Sequence, residues 1–152
     1  MKLFITIIFI ALIIYNLKKR SQNEIQAKLP TSYALVSLLL LAGGLCIWHL
    51  FDRSILGIVP VIAALLAFLS YLSSVGINDH FFNCLSANSI LIQSIPCDDV
   101  KRIEIIKKND EIELKIKAYG DVFWQQYDLK SEEELIHKLN RHLNTDKISR
   151  AE

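Results

Sequence analysis

Two long stretches of this chain carry no Asp, Glu, Lys or Arg: Leu29–Phe51 and Ser54–Asn78, parted only by Asp52-Arg53. A helix of about 20 apolar residues crosses ~30 Å of hydrocarbon at ~1.5 Å per residue. Both stretches reach that length. Lipid offers the backbone no hydrogen-bond partners, so a helix is the economical way through. The two-residue link predicts an antiparallel helical hairpin with spans at about 31–51 and 55–75.

A shorter run, Leu3–Leu17, covers only about 22 Å as a helix. Lys2 is its sole preceding cation, no small-x-small cleavage site follows, and Lys18-Lys19-Arg20 stand directly behind it. That flank reads as stop-transfer rather than as a signal peptide. The expectation is three transmembrane helices within residues 1–76, the first at about 3–17.

Basic residues set the orientation. Lys18, Lys19, Arg20 and Lys28 face a lone Glu24 in the first link. Positive loops stay in the cytoplasm and meet the inner leaflet there. The N-terminus is therefore expected outside and everything after about Gly76 inside, in a multi-pass cell-membrane protein. Membrane lipid is its solvent.

No acid or base falls within a span interior, which argues against ion-coupled transport. Gly43-Gly44 and the pair Ala63 and Ala67 are candidate positions for close helix packing. Pro60 bends or starts the third span. Trp48 reads as an interfacial anchor and His49 as its headgroup-facing neighbour.

The charge distribution changes after residue 76. Residues 1–76 hold six basic and two acidic side chains; residues 77–152 hold eleven and fourteen. The net charge of +1 gives no reason to invoke nucleic acid. Cys46, Cys84 and Cys97 show no CxxC spacing and suit a reducing compartment.

From His80 the apolar spacing becomes two. In Glu111–Ala118, Ile112, Leu114, Ile116 and Ala118 alternate with Glu111, Glu113, Lys115 and Lys117. That is a strand with one wet face. Val100–Lys107 is another, its phase slipping between Val100 and Ile103 as a bulge would make it. Lys108–Asp110 and Tyr119-Gly120 are turns. Ser89–Ile95, Asp121–Asp128 and His80–Ser86 complete a meander of about five strands. Ser131 and Glu134 form a capping-box pattern. Behind it Leu135, Ile136, Leu139 and Leu143 make one helical stripe. The expected domain covers residues 77–144, with 145–152 as a tail.

The run Pro96–Ile106, with Asp99-Val100 leading into Ile103-Glu104-Ile105, resembles the small bacterial pleckstrin-homology-like domains. The amphipathic and aromatic strands and the closing helix that follow resemble them too. The resemblance implies a small α+β domain: a curved antiparallel sheet, or partial barrel, plugged by the C-terminal helix. Many such domains hang from membrane spans. Cys97 stands where that family often has an aromatic residue. The loop where lipid-binding relatives carry cations is Ser86–Ser89 here, and it has none. The mixed-charge face around Lys101, Arg102, Lys107 and Lys108 reads as solvated.

No catalytic set emerges. His137 and His142 stand five apart and point to different helix faces, which is poor zinc geometry. Asp98-Asp99 reads as a turn former. Glycine-rich phosphate loops and G-x-S-x-G elbows are missing. The expectation is a non-catalytic binding or scaffolding module without cofactor, metal or small-molecule substrate, partnered by a protein or a second copy. Alternatives are an immunity protein against a membrane-acting toxin and an accessory subunit of a transporter or secretion complex.

Overall fold

The computed structural model describes residues 2–29, 31–51, 53–86, 91–143 and 145–151. The chain divides into two compact units. One comprises Met1–Lys18 and Leu29–Ser73; the other comprises Lys19–Lys28 and Ser74–Glu152.

The helical unit contains α1 (Lys2–Gln22), whose last turn runs on into the second unit's segment, α2 (Thr31–Phe51) and α3 (Ile55–Leu72). Ser54 caps α3 by accepting from the Gly57 N–H at 3.1 Å. The α2–α3 turn is closed by the Trp48 indole donating to Ser54 O at 2.9 Å and Arg53 Nε donating to His49 O at 3.1 Å. Trp48, expected as an interfacial anchor, thus also fastens the turn. Pro60 lies inside α3, near its first turn.

Three crossing helices are not what this unit shows. Only the Tyr33–Leu50 stretch of α2 is long and apolar enough to cross a membrane, among the described residues and by length and composition alone. In α3 the apolar helix is the shorter Leu56–Leu72. Every eighteen-residue window of α1 takes in three of the basic residues Lys2, Lys18, Lys19 and Arg20. The helix is there, but its run without charge, Leu3–Leu17, covers only about 22 Å against the ~30 Å of hydrocarbon.

The sheet unit also departs from expectation. Its strands form two four-stranded sheets rather than the expected single curved sheet or partial barrel of about five strands. In the first sheet β1 (Ile25–Gln26), β2 (Gly76–Ile77), β3 (Phe81–Cys84) and β4 (Gln93–Pro96) pair antiparallel in chain order. The expected strand at 89–95 is β4, displaced toward its C-terminal end; Ser89 and Ile90 lie outside the described residues. A 3-10 turn, Cys97–Asp99, leads out of β4.

The second sheet is built from β5 (Val100–Lys107), β6 (Glu111–Ala118), β7 (Asp121–Asp128) and β8 (Ile148–Ala151), in the order β7-β6-β5-β8. β8 runs parallel to β5, where a tail was expected. The register of β5 on β6 shifts between Val100 and Arg102, so Lys101 is the extra residue that the phase slip signalled. The β6–β7 hairpin turns on Tyr119 (φ 54°) and Gly120 (φ 87°). Two positive φ values match the twist of the flanking strands.

Helix α4 (Glu132–His142) supplies Leu135 and Leu139 to the core, with Leu143 behind them. They share one buried cluster with Ile112, Leu114, Ile116 and Ala118 of β6, all almost fully buried, and with Ile103, Phe82 and Tyr127. Each large apolar side chain withdrawn from water contributes about 1.5–3 kcal/mol. The Ser131 capping box does not form: Ser131 closes a 3-10 turn and its hydroxyl makes no cap bond. Acidic Glu132, Glu133 and Glu134 instead favour the helix's positive end. Lys107 reaches Glu132 at 2.7 Å.

Candidate functional site

The densest polar constellation among the described residues lies inside the sheet unit. It gathers the short segment ahead of β1, the β2–β3 turn and α4. The turn is rigid because Asn78 Oδ1 accepts from the N–H groups of His80 (2.9 Å) and Phe81 (2.7 Å). That geometry holds Asp79 toward α4.

Lys138 and His142 stand one helical turn apart, on the same face of α4. Lys138 is buried, 7 % exposed, in an otherwise apolar stripe. Its ammonium pairs with Glu24 and lies 3.1 Å from Asp79 Oδ1. His142 Nε2 lies 3.2 Å from the same oxygen. Burial by itself pushes the Lys138 pKa down; Glu24 and Asp79 outweigh it and hold the ammonium above its ordinary range. Hydrogen bonding from the Lys138 ammonium holds Asp79 below the usual carboxylate value.

A second network continues from the same segment. Asn23 Nδ2 donates to Ser74 O at 2.8 Å, and its Oδ1 accepts from Asn83 Nδ2 at 2.6 Å. Asn83 Oδ1 accepts from Ser94 Oγ at 2.6 Å, which accepts from Lys19 Nζ at 2.9 Å. Gln125 of β7 donates to Asn83 O at 3.0 Å and Cys84 Sγ at 3.3 Å, and accepts from Tyr127 Oη at 2.6 Å. Gly76 permits the close approach on which this depends, because a Cβ there would lie 2.5 Å from Ile25 O. Linked polar groups with every bond made fix one arrangement, since a broken member costs its full desolvation.

The chemistry of this constellation is that of a clamp. Cys84 is buried and burial pushes its thiol far up, so it is no nucleophile. Cys97 is raised by burial and then by Asp98. Among the described residues, no group of three His, Cys, Asp or Glu side chains is placed to hold a metal ion. His137 is exposed while His142 is half-buried, so the two do not converge. Asp98 and Asp99 shape the 3-10 turn, where Asp99 accepts from the Tyr119 hydroxyl at 2.5 Å.

Of the basic residues assigned to the inner leaflet, Lys19 joins the Ser94 network and Lys28 pairs with Asp128 at 3.4 Å. Lys18 and Arg20 stand in the last turns of α1. Of the packing candidates, Gly44 lies against Val61, whose Cγ1 would be 2.5 Å from an added Cβ, whereas Gly43 faces open space. Ala63 and Ala67 are buried. Ala67 O accepts from Ser70 Oγ at 2.8 Å, and Ser70 Oγ accepts from Asn16 Nδ2 of α1 at 3.1 Å.

No protein-family model matches the chain, and no curated protein or solved structure matches it either.

The residues that sequence reasoning missed are Asn16, Asn23, Glu24, Asp79 and Lys138. A lysine in register with Leu135 and Leu139 was the available signal for the last. Nothing in residues 19–28 announced a strand, because β1 is only two residues long.

Proposed function

We propose that this chain is a membrane-anchored, non-catalytic binding or scaffolding module that engages another protein or a second copy of itself. One contrast carries the proposal. The helical unit exposes Leu3 (75 %), Leu50 (75 %) and Leu56 (73 %), with many more large apolar side chains around its helices. The sheet unit seals most such residues into a core, leaving a few such as Val122 and Trp124 exposed, and carries charged side chains on its strands. So many large apolar side chains exposed on one set of helices call for a cover other than water, and a bilayer provides one.

Pairing of β1 with β2 supports a hairpin path. Ile25 faces Ile77 and Gln26 faces Gly76, so the chain just ahead of α2 and just behind α3 belongs to one sheet. If α2 crosses the bilayer, the intervening chain must come back. Leu56–Leu72 spans about 26 Å at ~1.5 Å per residue, enough for a thin bilayer. Lys18, Lys19, Arg20 and Lys28 favour the cytoplasm for that face. The resemblance of Pro96–Ile106 to pleckstrin-homology-like domains supports an adaptor rather than an enzyme.

Crosslinking in intact cells followed by alkaline extraction of membranes tests the proposal. The chain stays in the pellet and runs in a crosslinked species larger than monomer. Monomer alone, or release into the supernatant, counts against it.

A further inference from the structure

The outer face of the second sheet carries an apolar and cationic patch that the clamp does not use. Val122 and Trp124 of β7 are 43 % and 54 % exposed, whereas Phe123 and Tyr127 of the same strand are buried. Val122 faces Lys117, which faces Arg102; Trp124 faces Lys115, which faces Glu104. Lys115 Nζ sits 5.3 Å from the Trp124 ring centroid. Three cations in these two rows meet a single carboxylate, Glu104. Asp121 lies beyond them at the hairpin end, and Asp99 there is engaged by Tyr119.

The chain's own connectivity argues for the occupant. Lys28 N–H donates to Gln126 O at 2.6 Å, and α2 begins three residues after Lys28. Three residues reach at most about 11 Å. Trp124 is two residues along β7 from Gln126, about 7 Å on the same face. Trp124 therefore lies about 10 Å from Lys28, the last residue of the sheet unit before the chain passes to the helical unit. Indole beside lysine is the side-chain pair that bilayer interfaces select, the ring at headgroup level and the ammonium toward phosphate.

We propose that Val122, Trp124, Lys115 and Lys117 form a headgroup-contacting face that rests the sheet unit on phospholipid. This rests on the membrane reading above and extends it from the helices to the sheet.

The test reconstitutes the full chain in phosphatidylcholine vesicles containing phosphatidylglycerol and separates bound from free chain by flotation. W48F leaves Trp124 as the sole indole, and W124F leaves Trp48. A nitroxide on the lipid headgroup is expected to remove roughly half of the Trp124 emission, as for an interfacial indole. The added substitutions K115Q and K117Q are expected to reduce that quenching. If the chain floats, Trp48 is quenched and Trp124 is not, this inference is overturned and the membrane reading stands. An unquenched Trp124 that is nevertheless shielded from aqueous iodide overturns it in favour of a protein cover. A chain that does not float overturns both.

Discussion

Lys138 reaches Glu24 across 114 residues of sequence, joining the closing helix to the short segment between α1 and α2. Asp79 completes the contact at 3.1 Å. Residues 19–28, the last turn of α1 and the segment behind it, belong to the sheet unit, and this pairing ties that segment to α4.

Replacing Lys138 by Met keeps the length of the side chain and removes the charge. Glu24 and Asp79 then face each other without a cation, and the segment before β1 loosens. Because both carboxylates are about half exposed, the loss of stability is modest and shrinks in high salt. Limited proteolysis shows it first, as faster cleavage around residues 22–28.

The Asn23 network is more sensitive. Asn23→Ala leaves Asn83 Nδ2 without its acceptor in a buried place. The expected cost is about 1–3 kcal/mol. Tyr127→Phe leaves buried Gln125 Oε1 without its donor and costs a similar amount, about 1–3 kcal/mol. Leu114→Ala, in the apolar core between them, costs about 2–5 kcal/mol. Denaturant unfolding of the detergent-solubilised chain, followed by near-ultraviolet circular dichroism, ranks the three.

Paired glycines make a contrast in the helical unit. Gly43→Leu meets open space and is accommodated, whereas Gly44→Leu must push Val61 aside and separates α2 from α3. Thermal melting distinguishes them: only the second loses helix–helix packing.

Stability depends on pH at both ends. Asp79, Glu104 and Glu113 titrate below their ordinary values of 3.8, 4.5 and 4.5, chiefly through hydrogen bonds from Lys138, Lys117 and Lys108. Their contribution is present above those values and is lost as pH falls through the lowered ones. Tyr127 and Cys84 are raised by burial above 10.0 and 9.0. Theirs is fully present below pH 9 and declines as the medium becomes more alkaline. Melting temperature against pH gives a plateau between these limbs; a plateau that ran on unchanged above pH 10 would contradict the buried placement of Tyr127.

Strands and helices were legible where the apolar period was long. Eight alternating residues disclosed β6, and the leucine stripe disclosed α4. The slip at Val100–Ile103 marked a bulge because one extra residue inverts every following side chain. β1 and β8 were not legible: two and four residues carry no period, and their partners lie 50 to 52 and 45 residues away. The crossing capacity of α1 was overstated because the run between Lys2 and Lys18 is only about 22 Å of helix, short of the ~30 Å a bilayer core needs. The clamp stayed hidden because Glu24, Asp79 and Lys138 are ordinary surface residues until folding brings them together.

Sidedness tests the central claim most directly. Single cysteines at Gln26 in β1, Asn140 in α4 and Arg53 between α2 and α3 are introduced into a chain lacking its native thiols. Right-side-out vesicles are then exposed to a membrane-impermeant maleimide. Positions 26 and 140 are expected to react only after permeabilisation, and position 53 before it. Labelling of 26 and 140 from opposite faces, or recovery of the chain in the aqueous fraction, would contradict the account.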